Sequence, residues 1–262
     1  MTFHNKLPDE SVNVTKTSPL ADMVWMLGGL VALVLIVYVA LGFGIKMAVK
    51  KISIEQEQRL FSYLHVDALM EANDSSTSQK VQRLIDAVTT QCLKTPYHFI
   101  VSIADDEQSN AFALPGGLIV VNKGLLQKAT SENEIFFVLA HEIAHFQNRD
   151  HLEGIGRRFI GVLLGSLIGF SDVADLLQTT LNLSENRFSQ TQESEADLYA
   201  LDLMHCYYGH VNGATDFFKH LPQESAGYGG MFSTHPDMQK RVEDIEMYST
   251  QKGYVRAALQ AF

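Results

Sequence analysis

Residues 131–148 read SENEIFFVLAHEIAHFQN, and the interpretation of the whole chain turns on them. Ser131 and Glu134 have the spacing of a capping box, with Ser131 as N-cap and Glu134 at the third helical position. Ile135, Val138, Leu139 and Ile143 recur at helical intervals, which predicts a helix with one apolar stripe. Side chains four apart on a helix share a face. His141 and His145 can therefore offer two imidazole nitrogens to one metal ion, and Glu142 beside them can reach a water on that ion. This is the physical content of H-E-x-x-H. The bland alternative is a pair of solvated or core histidines. The cap and a suitable carboxylate downstream argue against it.

A catalytic zinc site has three protein ligands and an open position for water. Residues 190–204, QTQESEADLYALDLM, place Glu193 and Asp197 four apart, with Ala196, Ala200 and Leu203 as a helix-packing face. The two alanines are small enough for close approach to the HEIAH helix. Spacing favours Glu193 as the third ligand, with Glu195 as the alternative. Glu195 lies roughly 200° around the helix from Glu193 and is expected in solvent. Asp197, one turn on, is placed to accept the distal N–H of a ligand histidine. Further along, residues 227–241 read GYGGMFSTHPDMQKR. Pro236 suits the first position of a helix, and His235 just before it can cap that helix. Arg241 reads as structural, and His98 and His151, which lack motif context, as structural or solvated.

Outward from these motifs the chain divides in three. Residues 1–22 are polar and predicted to be a disordered tail. Residues 23–45, MVWMLGGLVALVLIVYVALGFGI, carry no charge and would make a helix roughly 34 Å long, enough for a bilayer core of about 30 Å. A cleaved signal peptide is the competing interpretation, opposed by the length of the run and the lack of a short basic leader. Lys46, Lys50, Lys51 and Arg59 follow the segment, so the positive-inside rule leans toward a cytoplasmic domain, with the periplasm as alternative. Residues 46–262 are then the third part. Within it, 52–70 and 79–93 show helical spacing around the polar break NDSSTS, while 97–104 and 118–121 read as strands flanking the turn Pro115-Gly116-Gly117. The 12-residue apolar run 159–170 is too short to span and suits a core or groove wall. The pattern from there is helical nearly to residue 262.

The net charge of −10 argues against nucleic acid as a partner, because a phosphate backbone demands a basic face. Cys92 and Cys206 are the two cysteines, and spacing alone decides neither their pairing nor the compartment.

The order NAFALPGG, HEIAH, ESEAD and STHP resembles the gluzincin family that contains HtpX-like membrane proteases and CAAX prenyl proteases. It is most similar to their small, single-domain bacterial branch, alongside the mitochondrial quality-control peptidases. The resemblance covers roughly residues 55–250. It implies an α+β, mostly helical zincin-like domain with a small sheet, one zinc ion per chain, and Glu193 as the ligand from the E-x-x-A-D motif. It also implies a bacterial inner-membrane location and a strand beside the active-site helix, matched by NAFALPGGLIVV, on which polypeptide substrate lies as an added strand. His235 would face the metal, donating to the oxyanion or filling zinc's open position at rest. With Glu142 as general base, the expected activity is peptide hydrolysis in membrane-protein quality control. A tethered chaperone with a structural zinc is the rival, against which the intact Glu142 argues. A hydrolase of small amides is another, and the edge strand favours polypeptide over it.

Overall fold

The protein is described from a computed structural model covering residues 18–62, 76–167, 188–219, 235 and 238–262. It divides into two compact units, residues 1–44 and 45–262. In chain order the elements are α1 (Pro19–Val49), α2 (Ile54–Leu60), α3 (Ser76–Cys92), β1 (Ile100–Ala104), β2 (Ala111–Leu114), β3 (Leu118–Asn122), α4 (Lys123–Lys128), α5 (Glu132–Asn148), α6 (Asp150–Leu167), α7 (Gln190–Tyr208), α8 (Asp216–Lys219) and α9 (Met238–Lys252).

The first unit is built on α1, which encloses the predicted run 23–45 and extends past it at both ends. Pro19 opens the helix, where a missing N–H costs nothing, and Lys46 in its last turn suits the dipole. Its apolar side chains stand outward: Trp25 is 81% exposed, and Ile36, Val39 and Phe43 are exposed too. Soluble monomers rarely expose an apolar surface of that extent. With 31 residues, α1 is long and apolar enough to cross a membrane.

The second unit carries the sheet, ordered β1-β3-β2, with β1 parallel and β2 antiparallel to β3. The segment 110–121 is thus a hairpin, because Pro115-Gly116-Gly117 turns the chain back and pairs Leu114 with Leu118. Gly116 and Gly117 adopt φ of 90° and 99°, which L side chains resist. A Cβ on Gly117 would also stand 2.4 Å from the His98 carbonyl oxygen. Central β3 is buried throughout, while β2 is an edge whose Ala111 and Ala113 point inward.

Helix α5 runs beneath β2 and packs most extensively on α7. It is buried on every side from Asn133 to Phe146, not striped as its sequence suggests. The reason is neighbours: β2 covers one face and α7 another, with fully buried Ala196 and Ala200 allowing the close approach. Ser131 caps α5, accepting from Glu134 N–H at 3.2 Å. The reciprocal half of the expected box is redirected, since the Glu134 carboxylate takes the Thr130 N–H at 2.9 Å. Residues 253–262 form no helix. They run past the start of α5, where the Gln260 carbonyl accepts from Glu132 N–H at 2.9 Å.

Cys92 on α3 and Cys206 on α7 form a disulfide, their Cα atoms 6.0 Å apart. The 159–170 run falls on α6 as far as Leu167. Its remainder, residues 1–17 of the tail, residues 63–70 of the expected helix 52–70, residues 73–75 of the expected break and the glycines before His235 lie outside the described residues. Residues 76–78 of that break are already helical in α3.

Candidate active site

Two helices and one further residue bring the site together. His141 and His145 project from successive turns of α5, and Glu193 from the first turn of α7, which Ser189 and Gln192 lock with a complete capping box. His235 joins them from the segment before α9. Ligand atoms of all four lie within 4.8 Å of one another, and all four residues are buried.

Each ligand histidine has its ring set by a carboxylate. His141 Nδ1 donates to Asp197 Oδ1 at 2.8 Å, and His145 Nδ1 donates to Asp150 Oδ2 at 2.8 Å. Both Nε2 atoms are left with lone pairs facing the same point, 3.1 Å apart. Glu193 Oε2 is 3.5 Å from His141 Nε2, and Glu193 Oε1 is 3.6 Å from His145 Nε2. Ligands at about 2.0 Å around a tetrahedral zinc stand about 3.3 Å from each other, so these spacings fit such an ion. His235 Nδ1 closes the group, 3.2 Å from His141 Nε2 and 2.8 Å from Glu193 Oε1.

Unsatisfied atoms point the same way. Both oxygens of Glu142 and His235 Nε2 are buried without a hydrogen-bond partner, and Glu193 Oε2 has an ion pair with Arg241 in place of a hydrogen bond. Buried polar groups are rarely left so, and Glu142 and His235 lie together, 3.7 Å apart. Burial pushes the Glu142 carboxyl up to about 7, against the pull of His141 and His145. Ala113 N–H on β2 faces that carboxylate, short of a formed hydrogen bond. Glu142 is thereby set between the histidines and the edge strand. Burial lowers His141 and His235 toward the neutral ring that a ligand needs. At His145 burial is outweighed by Asp150 and Glu193, which bring it up to about 9, so a bound cation would displace its proton. Burial also pushes Glu193 up, but His235 and His141 hold it well below the usual carboxylate range.

The structure brings Glu193 into the cluster and leaves Glu195 exposed on the other face of α7. His98 is exposed, and His151 is fully buried away from the cluster. Arg241 clasps the carboxylates from behind. Its Nε and Nη2 donate to the two oxygens of Asp197 at 2.7 and 2.6 Å, and its Nη1 is 2.9 Å from Glu193 Oε2. Sequence reasoning missed Asp150, the acceptor for His145. Its only signal was a carboxylate just past the end of the HEIAH helix. It also missed Phe188, which stacks on the His145 ring with centroids 3.9 Å apart. A cleft of about 790 Å³ opens beside these residues, lined among others by Asp150, Glu153, Phe188 and Gln192.

Comparison with known proteins adds the chemistry. A model of peptidase family M48 matches residues 71–249. The metalloprotease LoiP of Escherichia coli is 31% identical over 66% of this chain and 70% of its own length. The mitochondrial metalloendopeptidase OMA1 of Schizosaccharomyces pombe is 29% identical over 76% of this chain. The beta-barrel assembly-enhancing protease of Yersinia pestis is 26% identical over 61%. The chain spans 58% of the length of the second relative and 36% of the third.

Proposed function

The chain belongs to peptidase family M48, a metalloprotease by that membership, and from this premise we propose that it is a membrane-tethered zinc endopeptidase that cuts extended or misfolded polypeptides in quality control. The observation that carries the proposal is the buried donor cluster of His141, His145, Glu193 and His235, with the unpartnered carboxylate of Glu142 beside it. A nitrogen and carboxylate donor set suits zinc. His141, His145 and Glu193 would hold the ion. When bound, it supplies Lewis acidity that polarises the scissile carbonyl and makes water more acidic.

The chain's own residues do the rest. Glu142 takes a proton from the attacking water and returns it to the leaving nitrogen, a transfer suited to a carboxyl poised near neutrality. Asp197 and Asp150 hold the histidine rings in the tautomer that frees Nε2. The open edge of β2, with Ala113 facing Glu142, offers backbone groups to an extended substrate as an added strand. His235 Nε2 lies 3.7 Å from Glu142 Oε1, within the reaction space. His235 would both close the resting site as a fourth ligand and donate to the oxyanion once displaced.

On this proposal α1 crosses the membrane once. The Cys92–Cys206 disulfide favours an oxidising side such as the periplasm for the catalytic unit, against the lean of the lysine count. The test of function is mass spectrometry of peptides released from denatured casein by the full chain, with and without chelator. Chelator-sensitive internal cleavage is expected. Release that chelator leaves unchanged, or none at all from zinc-loaded protein, would refute it.

A further inference from the structure

Helix α2 follows closely on α1 and is only seven residues long, yet it carries a fully buried carboxylate. Four groups converge on Glu57. Its Oε1 accepts from Gly116 N–H at 2.8 Å and from His151 Nε2 at 2.8 Å. Its Oε2 accepts from the Tyr97 hydroxyl at 2.6 Å and lies 3.2 Å from Arg149 Nη1. Burial pushes this carboxyl up, but His151 and the other donors outweigh it and bring it down to about 2. The neighbouring Gln58 Nε2 donates to the Gly116 carbonyl at 3.3 Å. Two side chains of α2 thus hold both the N–H and the C=O of one glycine.

The partners belong to opposite walls of the active site. Gly116 is in the turn that returns edge strand β2 to β3, and Ala113 of β2 faces the base Glu142. Arg149 ends α5 in the left-handed region at φ 64°, alone among the described non-glycine residues. Its guanidinium also donates to the Ile52 carbonyl, in the link before α2. His151 Nδ1 is 3.3 Å from the carbonyl oxygen of the ligand His145. One carboxylate therefore joins the substrate strand to the metal helix.

Resting on the peptidase assignment above, we propose that Glu57 is a positioning residue for hydrolysis, setting the spacing between the β2 edge and the helix that carries His141, Glu142 and His145. Truncating it leaves a loose turn on one wall, and Arg149 and His151 without their carboxylate partner on the other. Small misplacements of reacting groups are costly in rate.

The test uses the full chain in detergent micelles: wild type, Glu57→Ala, Glu57→Gln and Gln58→Ala. Initial rates on a quenched-fluorescent extended peptide, zinc content, and amide exchange over residues 111–118 are measured together. Glu57→Ala should keep its zinc, raise KM, lose about 10²-fold in kcat/KM and exchange faster over 111–118. Glu57→Gln retains an acceptor for Gly116, so KM should return toward wild type while kcat stays low. Gln58→Ala leaves no buried charge behind, and should raise KM with kcat unchanged. It therefore decides the matter if Glu57→Ala fails to fold. A merely structural Glu57 would reduce the folded, zinc-loaded fraction and leave its KM at the wild-type value. That result, or wild-type KM in both alanine variants, overturns the proposal. Wild-type protein that hydrolyses nothing would instead defeat the peptidase assignment, and unchanged exchange in Glu57→Ala would then still overturn the clamp.

Discussion

Neither oxygen of Glu142 has a hydrogen-bond partner, although the residue is fully buried. A structural carboxylate in that position would be a net cost, since an unmet buried acceptor destabilises by about 1–3 kcal/mol. Its isolation makes sense as a base awaiting a proton. Glu142→Gln is therefore expected to fold, keep zinc and lose peptide hydrolysis by at least about 10²–10⁴-fold. Metal analysis beside a casein assay reads both, and undiminished turnover would remove Glu142 from the mechanism. His235 is the contrasting case, because it touches Glu193 and His141 and also faces the base. If it donates to the oxyanion, His235→Ala should cost roughly 10²–10³-fold in turnover. A rate above wild type would instead make it only a plug in the resting site. The H-E-x-x-H spacing made both α5 ligands legible, because four residues is a helical repeat whatever the fold. Asp150 was not legible, because its role depends on how the chain turns through Arg149 into α6.

At the level of elements, the β2–β3 hairpin carries the edge proposed to receive substrate, and its turn has little tolerance. Gly117 combines φ of 99° with a backbone oxygen where its Cβ would be. Gly117→Ala is accordingly expected to destabilise the domain by about 1–3 kcal/mol, from conformational strain and the displaced hairpin. Thermal unfolding of the full chain measures this, and an unchanged midpoint would show that the turn can relax. The strand pattern identified β3 up to Val121, one residue short of its end, and missed β2, since AFAL is too short to declare itself without its partner. The apolar stripe of α5 likewise understated its burial. A stripe marks the face that prefers the interior, while the number of neighbours is a property of the packed molecule.

Across the whole molecule, the Cys92–Cys206 bridge closes a loop of 114 residues of sequence separation and joins α3 to the helix that carries Glu193 and Asp197. Such a closure stabilises by about 2–4 kcal/mol, chiefly by restricting the unfolded chain. For a domain of this size, reduction should lower the unfolding midpoint by roughly 5–15 °C. Calorimetry with and without reductant, with thiol alkylation to confirm the bridge, tests it. Equal midpoints, or free thiols in untreated protein, would count against both the stabilisation and the oxidising compartment. The family, the helical character of the domain, the membrane-length helix and the pairing of His141 with His145 were all determined by local sequence, because helical periodicity, span length and ligand spacing need no knowledge of the fold. Spacing already favoured Glu193 over Glu195 and offered Asp197 as a histidine's acceptor. Tertiary structure alone decided the cysteine pairing, the assignment of Asp197 to His141 and Asp150 to His145, and the burial of Glu57 between the two walls. Those depend on which distant residues meet, and that follows from the packing of α5 against α7 and β2, which no short stretch of sequence contains.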